Sequence, residues 1–283
     1  MNKNKWDLVI TSKYGWFDLN ISEILRYKDL LVLFIKKDFT TFYKQTILGP
    51  LWFFIQPLIS TILFSFIFNK VANIPTDEIP PFLFYMSGII AWNYFSDCLT
   101  TTSSTFSTNA RMFEKVYFPR IIIPISKIFS GLSKFLLQLF LFFIIYLYFL
   151  SIGNKEIFFS PKILFLLPFL LLQMALLGLG LGLIISSLTV KYRDLNYLVG
   201  YGTQLLMYAS PIIYPLSIVP ERFKYLIMLN PITPLIEIFR KGLVGKGHFD
   251  LYLLIYSILI TLVVFLLGVL IFNRIERSFI DTV

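Results

Sequence analysis

Few side chains in this sequence could do covalent chemistry, and they stand far apart. There is one cysteine, Cys98, and one histidine, His248. A lone cysteine rules out an internal disulfide, and the pair cannot build a zinc site. Cys98 stands in an apolar run and reads as inert packing. His248, in the polar string Lys246-Gly247-His248, reads as a solvated loop residue. No nucleotide-binding loop is present, because the nearest string, GLVGKG at 242–247, lacks a glycine five residues before its Gly-Lys pair. Nor is there an HExxH, a GxSxG or a pair of carboxylates at catalytic spacing. We therefore expect no catalytic residue, no metal and no cofactor. The chain has no visible means of hydrolysing ATP, so any uphill work must be driven by a partner or an ion gradient.

The remaining candidates are polar groups inside apolar runs. Asp97 lies well into one such run, and Lys127 and Lys134, seven residues apart, share a face of another. A charge at depth in a membrane costs at least a few kcal/mol and usually faces a bundle interior or a wet cavity. Two readings of Lys127 are open: a place in that interior, or a side chain that snorkels to the headgroups. Asp97 can likewise sit near an interface. Aromatic residues make up 18% of the chain, with 31 Phe and 16 Tyr. Trp52, Trp92, Tyr94, Tyr201, Tyr208 and Tyr214 fall in or at the ends of apolar runs. They read either as an interfacial belt or as a lining that stacks on sugar faces. In GLGLGLIISS, Gly178, Gly182 and Ser186 recur every four residues, a small-residue stripe that lets another helix approach closely.

The elements that must position these groups are membrane helices. The chain is 57% hydrophobic and only 14% charged, against about 25% charged in soluble domains. Its apolar excess must face lipid. A span needs about 20 apolar residues, and six segments qualify: 48–68, 81–103, 124–150, 162–188, 197–213 and 251–272. The fifth is short and runs into SPIIYPLSIVP, where Pro211, Pro215 and Pro220 forbid a continuous helix. Residues 214–250 are too broken to span and suit external re-entrant or interfacial helices. Residues 21–44 show helical periodicity but carry Arg26, Lys28, Asp29, Lys36, Lys37 and Asp38, which suits an amphipathic helix on the membrane surface. We thus divide the chain into 1–47, a cytoplasmic tail and surface helix, and 48–283, a six-span domain. There is no early apolar signal-peptide core, so the first span is expected to direct insertion. With six spans, Lys and Arg number fifteen on the side of the termini and eight on the other, which places both termini in the cytoplasm. The net charge of +9 is explained by orientation and anionic headgroups rather than by nucleic acid.

Three strings carry a family resemblance: FIKKDFTTFYKQTILGPLWFFIQPL at 34–58, NARMFEKVYFPRIIIPIS at 109–126, and a third running from VKYRDLNYL at 190–198 through YASPIIYPLSIVP at 208–220 to LNPITPLIEIFRKGLVG at 229–245. In this order they resemble the ABC-2 type transporter permeases, in the branch that exports polysaccharides and polyol phosphates (O-antigen, capsule, teichoic acid). The resemblance runs from about Leu30 to the C-terminus. It implies an all-α, six-span subunit of the bacterial inner membrane that forms a homodimer with two copies of a cytoplasmic ABC ATPase. ATP would be bound by that partner. The implied substrate is an undecaprenyl-linked polysaccharide moved outward. By the same resemblance, 21–44 is an interface helix, 109–123 a cytoplasmic coupling loop, and 214–247 the external gate helices.

For the coupling contact the resemblance points to Arg111, Phe113, Glu114, Lys115, Tyr117, Phe118 and Arg120, with Lys191, Arg193 and Asp194 in a second loop. The residue types agree, because Phe113, Val116, Tyr117 and Phe118 should project an apolar patch rimmed by charge, as in contacts with soluble partners. For the substrate channel we expect Trp52, Phe53, Gln56, Tyr201, Gln204 and Tyr208, whose rings and amides would let a sugar chain slide. Gln56 and Gln204 can equally bridge helices. Two departures stand out. Lys37-Asp38 replaces the usual Arg-Asp, which keeps the charge and loses the bidentate fork, and Lys134 matches no family position. Other readings are an ATP-independent carrier or lipid flippase, an ABC-2 permease for another substrate, and a membrane glycosyltransferase, for which no acidic cluster is seen.

Overall fold

The computed structural model describes residues 25–44, 47–113, 115–116, 118–153, 157–192 and 194–282, with the backbone alone for 42, 43, 110 and 276–282. The described residues are helical, without strands. Helix α1 (Lys28–Lys44) precedes a 3-10 turn at Gly49–Leu51, which continues into α2 (Trp52–Phe64) and a π-helical turn at Ser65–Val71. Then follow α3 (Pro81–Ser103), α4 (Thr105–Phe113), α5 (Ile122–Ser151), α6 (Lys162–Thr189), α7 (Leu195–Tyr208), α8 (Glu221–Met228), α9 (Thr233–Val244) and α10 (Leu251–Thr282).

Four helical segments are long and apolar enough to cross a membrane: Gly49–Val71, Ile122–Ser151, Lys162–Thr189 and Leu251–Ile275. They coincide within a few residues with four of the six expected spans. The second expected span forms a helix with the expected bounds, α3, but its apolar run is diluted by Asn93, Ser96, Asp97 and Thr100–Thr102. α3 is instead the centre of the bundle. It packs against α2, α5, α6, α7 and α9, and most of its side chains are buried. The fifth expected span is shorter than read from the sequence. α7 stops at Tyr208, three residues before Pro211, and its 14 residues reach only about 21 Å at 1.5 Å per residue.

The glycine stripe of α6 performs as expected and also has a second face. A methyl group on Gly178 would stand 2.8 Å from Cys98 Cβ, and one on Gly182 would stand 2.5 Å from Thr102 Cβ. Gly178 thus lies beside Cys98 and Gly182 beside Thr102, so α3 and α6 run parallel in near-backbone contact. On the opposite side, Gly180 meets Gly268 of α10, where a methyl on Gly268 would fall 2.5 Å from the Gly180 carbonyl oxygen. Between the same two helices, Gln173 donates to Ser257 (2.8 Å), whose hydroxyl donates to the Pro231 carbonyl (2.6 Å). That carbonyl lies just ahead of α9. Cys98 is buried at the α3–α6 crossing, as expected of a packing residue.

α9 is too short to cross a bilayer, yet all but one of its residues are buried, against α3, α6 and α10. It is closed by Gly245 in the left-handed region (φ 82°), the conformation that glycine supplies at helix ends. Two hydrophobic cores result. The larger surrounds α3 and takes in α5, α6 and α9. The smaller gathers Phe106, Phe113, Phe118, Ile121–Ile123, Leu179, Leu183, Val269 and Phe272, with Leu30, Leu31 and Phe34 of α1 packed against it.

Candidate functional site

The expected channel residues divide between two helices. α2 and α7 each pack on α3 rather than principally on one another. The inward stripe of α2 is Phe53, Pro57 and Thr61, spaced by four as one helical face requires. Trp52 and Gln56 stand outside that stripe and are exposed. On α7, Thr203 points inward, while Tyr201, Gln204 and Tyr208 are exposed, Tyr201 by 70%. Five of the six expected lining residues therefore lie on outward faces of the subunit. Phe53 does not: it is buried, with the Lys134 ammonium 5.8 Å from its ring centre, because the α2 stripe that meets the bundle runs through it.

The expected coupling loop differs from the sequence reading in two respects, its rings and Arg120. Phe113 and Phe118 do not project a patch. Both are buried in the smaller core, their ring centres 5.7 Å apart. Phe113 also meets Phe106, and Phe118 meets Phe34 of α1. Arg120 is buried too, its guanidinium 5.2 Å from the Phe113 ring centre and 5.9 Å from that of Phe106, a cation–π arrangement. The rings turn inward because α10 and α1 offer them apolar surface that the loop sequence alone does not reveal. Exposed in this loop are Arg111, Lys115 and Val116. In the second loop Lys191 and Asp194 are exposed, with Lys191 5.2 Å from the Tyr192 ring centre. Glu114, Tyr117 and Arg193 lie outside the described residues.

The charges inside apolar runs have partners. The Lys127 ammonium donates to Asp38 Oδ1 of α1 at 2.6 Å, and Ser130 donates to the other carboxylate oxygen at 3.1 Å. Asp38 is thus shared by two donors one helical turn apart on α5, and lysine at position 37 leaves that pairing intact. Seven residues beyond Lys127, Lys134 donates to Asp97 Oδ2 of α3 at 3.2 Å. Four residues further, Gln138 faces Asn93 at 3.5 Å. One face of α5 therefore carries a polar ladder that receives α1, α2 and α3 in turn.

Sequence reading missed one polar cluster. Arg240 of α9, within the 214–250 stretch expected to be external, is 1% exposed. Its Nη1 donates to Glu237 Oε1 at 2.7 Å and its Nη2 to the Pro211 carbonyl at 2.6 Å, and its guanidinium lies 3.9 Å from the Phe84 ring centre. The other Glu237 oxygen accepts the backbone N–H of His248 at 3.0 Å, while the His248 side chain is exposed, as expected. The cluster ties α9 to α3, to the turn after α7 and to the loop before α10. The one signal for it is a Glu and an Arg three residues apart in a helix-forming string. At the surface nearby, Lys246 donates to Glu78, and that contact holds the Glu78 carboxyl below its ordinary range.

The chain is similar to known proteins along most of its length. The profile of the ABC-2 type transporter family matches residues 29–244. The chain is 29% identical to the O-antigen export system permease protein RfbA of Klebsiella pneumoniae over 89% of its own length and 94% of that protein. It is 28% identical to RfbA of Myxococcus xanthus over 76% of its length and 80% of that protein. A more distant similarity, 22% identity over 91% of this chain and 95% of the relative, links it to the capsule polysaccharide export inner-membrane protein CtrC of Neisseria meningitidis.

Proposed function

Because this chain belongs to the ABC-2 type transporter family, we propose that it is the membrane-embedded permease subunit of an ATP-driven exporter that moves a lipid-linked polysaccharide outward across the bacterial inner membrane. The observation that carries this reading is the near end-to-end similarity to O-antigen and capsule export permeases. The subunit works as a homodimer with a separate cytoplasmic ABC ATPase. α3 and α7 join the four long apolar helices as spans two and five, α9 enters the membrane from outside without crossing it, and both termini lie in the cytoplasm.

The geometry supports a division of labour. A sugar polymer crossing about 30 Å of hydrocarbon needs a wet path. Trp52, Gln56, Tyr201, Gln204 and Tyr208 offer ring faces and exchangeable hydrogen bonds on outward faces of α2 and α7, where a second copy can close the path. Uncharged groups suit this task, since a charged lining would trap the chain or demand desolvation. Arg111, Lys115 and Val116, with Lys191 and Asp194, form the surface available to the ATPase. Closure of the ATPase pair would push α4, and the buried Phe113–Phe118–Arg120 cluster would pass that push to α1 and α10 as a rigid body.

The test is deletion of the gene followed by complementation. Loss of surface polysaccharide, with lipid-linked polymer accumulating inside, is the expected result, along with co-purification of an ABC ATPase with the tagged chain. Polymer export by the purified protein without any ATPase would instead identify an ATP-independent carrier.

A further inference from the structure

Lys134 lies outside the strings that carry the family resemblance, and the polar ladder gives it a place. It is a charged residue of α5 that meets two other helices at once: Asp97 of α3 through a 3.2 Å contact, and the Phe53 ring of α2 at 5.8 Å. Its pair differs from the other two internal ion pairs among the described residues. The Arg240–Glu237 side chains are almost wholly buried, at 1% and 5%. Lys127–Asp38 is short and has Ser130 as a second donor. Lys134 and Asp97 keep 23% and 41% of their side-chain surface exposed, and they meet at the greatest distance of the three. The pair is thus the least tightly joined of the three and stands beside the Phe53 ring, a placement suited to fixing geometry.

The geometry within reach is that of α2. This segment is the least buried of the four long apolar helices, at 17%, so few contacts decide how it stands. Phe53 is the first residue of its inward stripe, and Trp52 and Gln56 are its exposed neighbours. Whatever seats Phe53 also sets the direction in which Trp52 and Gln56 face. The ammonium, held in place by Asp97, is seated against that ring.

We propose that Lys134 is a positioning residue. Paired with Asp97 and set against Phe53, it fixes the first turn of α2 on the α3–α5 surface and so sets the presentation of Trp52 and Gln56 to the polymer. The link to the polymer rests on the exporter reading above, whereas the placement of α2 does not. The test uses the complete chain in its native membrane. A cysteine at position 56 (Gln56→Cys) is labelled with a charged maleimide, with Cys98 buried and silent. Lys134→Met should change the labelling rate by about threefold or more, the scale expected from losing a half-exposed ion pair and a cation–π contact. Lys134→Arg, which keeps the charge, should restore it. Gln204→Cys on α7 should label at the same rate in both backgrounds. With Gln56 left intact, export in Lys134→Met should fall at unchanged membrane content and unchanged ATPase co-purification. Unchanged labelling at position 56 overturns the proposal. If Lys134→Met fails to accumulate, Asp97→Asn, which frees the ammonium without removing it, takes its place with the same expected shift and the same overturning result. Absence of polymer export in the unaltered strain would sink the exporter reading alone, since the labelling comparison decides the positioning role without it.

Discussion

Aromatic residues stand in two settings in this subunit. In the loop between α4 and α5, Phe113 and Phe118 sit in a core with Phe106, Phe34 and the guanidinium of Arg120. On α2 and α7, Trp52, Tyr201 and Tyr208 face outward. In sequence the two groups look alike, as rings beside polar or charged residues next to an apolar run. The difference lies in what the rest of the fold brings to them. The loop is met by α1 and α10, which bury its rings. α2 and α7 are met on one side only, by the bundle around α3. Aromatic composition therefore marks neither a docking patch nor a channel. Only the presence or absence of a covering helix separates an anchor inside the subunit from a ring left for a partner or a polymer.

The sharpest way to break this contrast is to charge the buried rings. Phe113→Asp or Phe118→Asp should remove the subunit from the membrane fraction. Each discards a buried ring, for a loss of about 3–5 kcal/mol, and places a carboxylate among Phe106, Phe272 and Leu183, which costs more. Quantitative immunoblotting of membranes reads this directly. Arg111→Glu combined with Lys115→Glu, both exposed, should leave the amount unchanged and abolish ATPase co-purification. Normal accumulation of the Phe113 variant would mean that the smaller core is not a core.

The next largest effect belongs to the buried pair of α9. Arg240→Met leaves Glu237 without its guanidinium in a dry setting, and breaking such a pair by removing one partner costs about 3–5 kcal/mol. We expect a markedly lower detergent-melting temperature. Partial recovery is expected in Glu237→Gln/Arg240→Met, which removes the stranded charge. A double variant no better than the single would show that the Pro211 and Phe84 contacts, rather than the ion pair, carry the effect.

These cases show how much was legible in the sequence. The bounds of α3 and α6 could be read because length, apolar run and flanking prolines agree, with Pro81 at the first turn of one and Pro161 at the cap of the other. The Gly178–Gly182 stripe was legible because its spacing is local. α7 was overextended, because its apolar run continues to Ile213 while the backbone breaks ahead of Pro211. What failed was everything that depends on a distant partner. Lys127 meets Asp38 across 89 residues, and Arg240 meets the Pro211 carbonyl across 29. No periodicity carries such pairings. The burial of Phe113 failed for the same reason, since Phe272, stacked on its neighbour Phe106, lies at the far end of the chain. The channel candidates fared differently: their exposure follows from local helix phase, and Phe53 departs from them because it falls on the α2 stripe with Pro57 and Thr61.

A smaller effect is expected where α1 joins α5. Asp38→Asn removes the charge but keeps a side chain that can accept from Ser130. The pair is partly buried and charge-assisted, so a loss of about 1–2 kcal/mol is expected. That is too little to unfold the bundle and enough to loosen α1. Limited proteolysis near Lys36 and Lys37 should accelerate while the α5–α6 fragment stays intact. An unchanged cleavage rate would show that Leu30, Leu31 and Phe34 hold α1 without help from the ion pair.

The smallest change in stability should come from the exposed rings, and there the contrast is read by function instead. Trp52→Ala and Tyr208→Ala remove side chains that the subunit does not bury, so melting temperature and membrane content should hold within the ±0.5 kcal/mol typical of surface changes. Export of polymer, measured as surface glycan appearing after induction, should slow about three- to tenfold. Each ring lost from a stacking path forfeits up to about 1.5 kcal/mol of contact. The two variants should also combine with less than additive loss if a polymer meets both rings along one path. Unaltered export in the double variant would assign these rings to lipid, and the contrast between the two regions would then be one of core and membrane belt, with the path for the polymer to be sought on another face.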